Sequence, residues 1–90
     1  MEITRVRVHK MEKEGSRLKG YATVTIDDSF VVGNIKIIEG KNRWFCQMPN
    51  HKVVRDGEEV WEDTVYPTNK ETRDMFENKI LEEYNKTEEE

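Results

Sequence analysis

Seven basic residues are spaced to serve a single polyanion: Lys41, Arg43, His51, Lys52 and Arg55, then Lys70 and Arg73. Trp44 and Trp61 fall among them. Cationic side chains beside flat aromatic rings suit a sugar-phosphate chain, with cations meeting phosphates and rings meeting bases. Trp44 and Trp61 fit a core or a dimer interface just as well. Arg73 stands four residues before Glu77, a helix-surface pair worth only a few tenths of a kcal/mol. Lys70 and Arg73 open the C-terminal helical segment, where cations oppose the macrodipole. That mild cost points to a purpose other than helix stability.

Catalysis finds less support. His9 and His51 are far apart, and no Cys or His lies at metal-ligand spacing, so no metal site is expected. Each histidine reads as a solvated strand or loop residue. Cys46 alternates with Trp44 and Met48 and reads as a small buried hydrophobe. A reactive thiol there would need an exposed, electropositive setting. The five glycines are scattered singly, so no phosphate-cradling loop is formed. The expectation is a protein that binds macromolecules. It has no catalytic residues, no cofactor and no small-molecule substrate.

The elements that must position these residues follow from hydropathy periods. Ile3 to Lys10 alternates, with Thr4, Val6 and Val8 on one side and Arg5, Arg7 and His9 on the other: a half-buried strand with one basic face. Residues 12–16, with Gly15, read as a hairpin loop. Leu18 to Ile26 alternates again, with Leu18, Ala22, Val24 and Ile26 inward and Lys19, Tyr21, Thr23 and Thr25 outward. Asp27-Asp28 signals a tight turn. Phe30 to Ile38 is apolar on both sides, Val31, Ile35 and Ile37 on one and Phe30, Val32 and Ile38 on the other, as in a central or covered strand. Arg43 to Met48 is a short strand stopped by Pro49. Residues 50–57 read as a loop turning at Asp56-Gly57, and Val60 to Tyr66 as a weaker strand ended by Pro67.

The period then changes. Met75, Phe76, Ile80 and Tyr84 recur at helical spacing over about residues 70–85. Thr68 with Glu71 forms a capping-box pattern, with Asn69 as a rival cap. Glu82 and Lys86 form a favourable i,i+4 pair. The order predicts an α+β fold: a four- to five-stranded antiparallel sheet with one C-terminal helix. One helix covers only part of such a sheet, and its open edges invite a homodimer built through the sheet. Residues 1–86 form one domain, and 87–90 an acidic tail expected to fray.

Charge is unevenly distributed. The net charge is −4, yet residues 1–55 hold 11 Lys+Arg against 6 Asp+Glu, and residues 56–90 hold 4 against 13. Such asymmetry points to polyanion binding by one part of a chain, although a mixed-charge surface is the plainer account. The single cysteine allows no internal disulfide, no apolar run follows Met1, and no stretch nears the roughly 20 apolar residues of a membrane span. The expected location is the cytoplasm, with no membrane partner.

At residues 30–49 the chain resembles a known family. Phe30-Val31-Val32-Gly33-Asn34-Ile35-Lys36-Ile37-Ile38-Glu39-Gly40, then Phe45 and Met48-Pro49, is similar to the signature of the stage V sporulation protein G (SpoVG) family. The opening Met1-Glu2-Ile3-Thr4, Val6-Arg7, Asp56-Gly57-Glu58, Pro67, Asn69, Thr72-Arg73 and Leu81-Glu82-Glu83-Tyr84 fit as well. The resemblance covers about residues 1–86. It implies a small α+β homodimer without enzymatic activity that binds DNA, and in some members RNA. It also implies a link to septation and sporulation control or to global gene regulation. The family's nucleic-acid contacts, carried over, fall on His51, Lys52 and Arg55 and on Lys70 and Arg73. Arg43 stands where a glycine is usual, Trp44 replaces a smaller aliphatic, and His51-Lys52 replaces a Lys/Arg pair. An alternative is a protein-interaction module in cell division or septation, with division or regulatory proteins as partners and little affinity for nucleic acid. The acidic C-terminal segment favours that alternative.

Overall fold

The structure is a computed structural model and describes residues 1–11 and 13–87. Six strands precede one helix: β1 (Ile3–Lys10), β2 (Leu18–Ile26), β3 (Phe30–Glu39), β4 (Trp44–Gln47), β5 (Asn50–Arg55), β6 (Glu58–Asp63) and α1 (Lys70–Lys86). The α+β expectation is met, with the strands divided between two sheets. β1-β2-β3-β4 form an antiparallel meander, and β5-β6 a separate two-stranded hairpin. The expected loop at 50–57 is therefore a strand followed by a turn. Asp56 (φ 50°) and Gly57 (φ 80°) both adopt positive φ, the geometry that lets a two-residue turn follow the strand twist. The expected hairpin loop at 12–16 and frayed tail at 87–90 fall partly on Glu12 and residues 88–90, which lie outside the described residues.

The core lies between one face of the meander and α1. Val24, Ile35, Ile37 and Ile80 are fully buried, joined by Ala22, Val32, Cys46, Met48 and Phe76. Each buried aliphatic of this size contributes about 1.5–3 kcal/mol.

The face assignment of β3 needs correction. Strict alternation placed Val31 with Ile35 and Ile37, and Val32 with Phe30 and Ile38. In the structure Val32 shares the core with Ile35 and Ile37, while Phe30 and Val31 are exposed. The cause is Asn34, which adopts φ 56° and adds a residue to β3 between the pairs Val24↔Val32 and Ala22↔Ile35. A bulge of one residue reverses which side chains face inward. Asn tolerates that conformation better than most residues. A similar shift between Ile3 and Arg5 puts Ile3, not Thr4, on the core side.

The helix stripe appears where the spacing placed it, with one addition: Glu77 is buried between Phe76 and Ile80. The cap is Asn69, whose side chain accepts from the Thr72 N–H at 2.8 Å, so the Thr68 capping box is not used. The Glu82–Lys86 pair forms at 3.0 Å.

Candidate nucleic-acid interface

The predicted cations occupy three separate elements. Lys41 and Arg43 lie at the β3–β4 turn, where Arg17 joins them around a shallow cleft with Glu39. Gly40 is required in this turn, because a Cβ there would lie 2.4 Å from the Arg43 carbonyl oxygen. The Arg43 guanidinium donates at 2.8 Å to Glu77, whose other oxygen accepts from the Cys46 backbone N–H at 3.1 Å. Glu77 is thus a buried carboxylate satisfied by β4, and the expected Arg73–Glu77 surface pair does not form. A buried charge must be paired in this way or it destabilises the fold. Arg43 therefore clamps helix to sheet and is largely committed. Cys46 sits beneath this clamp as the small buried hydrophobe expected. Burial first, then the charge of Glu77, pushes its thiol up to about 12 against the pull of Arg43.

His51, Lys52 and Arg55 lie on the β5-β6 hairpin, but not together. The register pairs Lys52 with Trp61 and Arg55 with Glu58, so Lys52 lies on one face and His51 and Arg55 on the other. Lys52 sits 5.4 Å from the centroid of the Trp61 ring and 3.2 Å from Glu59. Arg55 pairs with Glu62, and His51 Nδ1 hydrogen-bonds Thr64 Oγ1 at 2.7 Å. Around Lys52 and Arg55 the hairpin carries Asp56, Glu58, Glu59, Glu62 and Asp63, so it is acidic overall. It also stands off the body. Its base is closed by the Thr64 N–H donating to the Pro49 carbonyl, and α1 packs on β1 and β4 instead. The radius of gyration is 14.0 Å, against about 12 Å for a compact chain of this length. Val54 (69% exposed) and Trp61 (66%) face solvent on this arm.

Lys70 and Arg73 open α1. Lys70 pairs with Asp74 at 2.7 Å, and Arg73 is exposed. Of the six predicted Lys and Arg residues, Lys41 and Arg73 have no carboxylate partner among the described residues, and His51 bonds only the Thr64 hydroxyl there.

A different set of cations shares one surface. The face of the meander opposite α1 has no helix over it. Cross-strand rows on it run Arg5–Thr25–Val31, Arg7–Thr23, His9–Tyr21–Lys36–Gln47 and Leu18–Ile38–Phe45. These rows contain no carboxylate, and no ion pair engages Arg5, Arg7 or Lys36 among the described residues. At the β1 edge Arg5 shares a cleft with Glu82 and Glu83, of which Glu82 is already bound to Lys86. The alternation of β1 had exposed the Arg5–Arg7–His9 side in the sequence. The place of Lys36 beside it depends on the β3 bulge and was not legible there.

Among the described residues no cluster of His, Cys, Asp and Glu could hold a metal ion. No helix is long and apolar enough to cross a membrane.

Comparison with known proteins is unambiguous as to family. The SpoVG family model matches residues 1–86. A protein of Agathobacter rectalis is 48% identical over 84 residues, 93% of this chain and 92% of that protein. One of Lachnospira eligens is 46% identical over 88 residues, 98% and 96% of the two chains. One of Caldicellulosiruptor bescii is 45% identical over 84 residues, 93% and 91%. All three bear the name "Putative septation protein SpoVG".

Proposed function

This chain belongs to the SpoVG family, and from that premise we propose that it is a dimeric nucleic-acid-binding regulator acting in septation or sporulation control, or in wider gene regulation. The observation that carries this reading is the carboxylate-free sheet face bearing Arg5, Arg7 and Lys36. Phosphate contacts supply most non-specific affinity for nucleic acid and need unneutralised cations on one surface. The net charge of −4 does not oppose this, because α1 with its acids covers the other face of the sheet. The molecule is electrically two-sided, and a polyanion meets the basic side.

The arm supports the dimer. A lone two-stranded hairpin is marginal in water, and among the described residues no strand pairs with either of its outer edges. Its exposed Val54 and Trp61 gain cover when a second copy extends the sheet. The same acidic arm is what favours the second reading, a docking module for division or regulatory proteins.

The test is salt-dependent binding to mixed-sequence DNA and RNA. Replacing Arg5, Arg7 and Lys36 by Glu is expected to weaken binding at least about 100-fold. It should also flatten the slope of log K against log salt by about 5 for a dimer, at about 0.9 per duplex phosphate contact. Lys52→Ala with Arg55→Ala should change affinity less than about threefold, because those cations are already neutralised. Unchanged binding in the triple variant, or elution of the parent protein at low salt, would favour the protein-docking reading.

A further inference from the structure

We infer that the helix-free face of the meander is a stacking platform for unpaired bases of single-stranded RNA, with Tyr21 as its centre. The inference rests on the nucleic-acid reading above and names its site and ligand.

Tyr21 lies mid-sheet, directly between His9 on β1 and Lys36 on β3, with Arg7 one diagonal step away. Directly opposed side chains in antiparallel strands sit about 4.5–5.5 Å apart, so Lys36 flanks the ring at the reach of the phosphate of a stacked base, with Arg7 diagonal to the ring on the β1 side. Phe45 stands on the same face, diagonal to Lys36, and offers a second ring. Cations beside rings on an open sheet are what an unpaired strand needs, since every base has a π-face and every linkage a charge.

Shape argues against a duplex. Four strands at about 4.8 Å spacing span some 14 Å before side chains are added, and the major groove is about 12 Å wide. The element thin enough to enter a groove is the β5-β6 arm, and the arm is acidic. A flat face can hold a chain only if its bases turn outward to meet it, which single-stranded loops and ends allow.

The polar groups point to RNA. The Tyr21 hydroxyl, the Thr23 hydroxyl and the Gln47 amide have no partner within the described chain and are not buried. Each can donate and accept, as can the ribose 2′-hydroxyl that distinguishes RNA from DNA.

The test is fluorescence anisotropy with a labelled, unstructured 15-nucleotide RNA, the same sequence as duplex RNA, and its single-stranded DNA equivalent. Parent protein is compared with Tyr21→Ala, Tyr21→Leu and Tyr21→Phe, each checked for its unfolding midpoint and oligomeric state. The expected result is at least tenfold preference for the single RNA strand over both other probes. Tyr21→Ala and Tyr21→Leu should lose about 5- to 100-fold affinity with an unchanged salt slope, as for one stacked base. Tyr21→Phe should remain within threefold. Equal binding of duplex, or full binding by Tyr21→Leu, overturns the platform and leaves the nucleic-acid reading standing. Equal binding of single-stranded DNA overturns the assignment to RNA. Variants that shift the monomer–dimer equilibrium while leaving RNA affinity intact would give this face to a second copy. Failure of the parent protein to bind any probe at low salt removes the nucleic-acid reading and this inference with it.

Discussion

The arm and the open sheet face are both built of antiparallel strands, and both carry exposed cations, yet they are opposite surfaces electrically. On the arm, Lys52 and Arg55 lie within reach of Glu59 and Glu62 on the paired strand. On the meander, Arg5, Arg7 and Lys36 look across at Thr25, Thr23, Tyr21 and Gln47, none of which can neutralise them. A cation's availability is set by the residues the neighbouring strand brings within reach, not by its neighbours in sequence. Exposed ion pairs like those of the arm contribute little stability, but each removes a cation from the free surface. The regions also differ below the surface. The meander lies on a core of Val24, Ile35, Ile37 and Ile80, whereas the arm has no helix beneath it and exposes its apolar side chains.

The largest test of that contrast is a paired truncation. Ile35→Ala, in the meander core, is expected to cost about 2–5 kcal/mol of unfolding free energy. Trp61→Ala on the arm should cost the monomer less than about 1 kcal/mol, since little apolar area is lost from cover. Denaturant titration of both at low protein concentration checks this. Comparable losses would mean that the arm is part of the cooperative core.

A smaller effect probes the clamp between β4 and α1. Glu77→Ala leaves the Cys46 N–H without its acceptor and should cost about 1–3 kcal/mol. Removal of the Arg43 side chain should cost at least as much as Glu77→Ala, because it leaves the buried Glu77 carboxylate without its cation. Hydrogen exchange should show β4 and the middle of α1 opening more readily in Glu77→Ala, with the arm amides unchanged. Faster exchange on the arm as well would couple the two regions.

The smallest effect is a pH dependence confined to the body. The Cys46 thiol rises from 9.0 to about 12 on folding, chiefly by burial. The folded state therefore keeps its proton at pH values where the unfolded chain has lost it. The stabilisation is complete below pH 9 and is lost as pH rises towards 12. By pH 10 the loss amounts to about 1 kcal/mol. The stability difference between parent and Cys46→Ala should shift by that amount in favour of Cys46→Ala between pH 7 and pH 10. An unchanged difference would mean that the thiol is not held in the dry core.

Much of this was legible in the sequence because it depends on local period and local caps. Alternation marked β1 and β2, and helical spacing marked α1 with its Met75, Phe76, Ile80 and Tyr84 stripe. The run around Gly33-Asn34 carried the family resemblance. Residues 50–55 were misread as a loop because a polar strand without a hydrophobic face has no signature beyond its Asp56-Gly57 turn. Glu77 was misread as a surface partner of Arg73 because nothing local tells a buried acid in a helix from a solvated one.

The sequence alone therefore determined that β1 to β4 extend and that α1 coils, and that charge is divided unevenly along the chain. Those properties arise from interactions a few residues apart. The tertiary structure decided which cations are free. It did so by bringing Glu59 and Glu62 within reach of the arm's cations, drawing Arg43 to Glu77, and turning β3 at Asn34 so that Lys36 joins Arg5 and Arg7. Charges interact through space over a few ångströms, and only the folded register brings residues that distant in sequence so close.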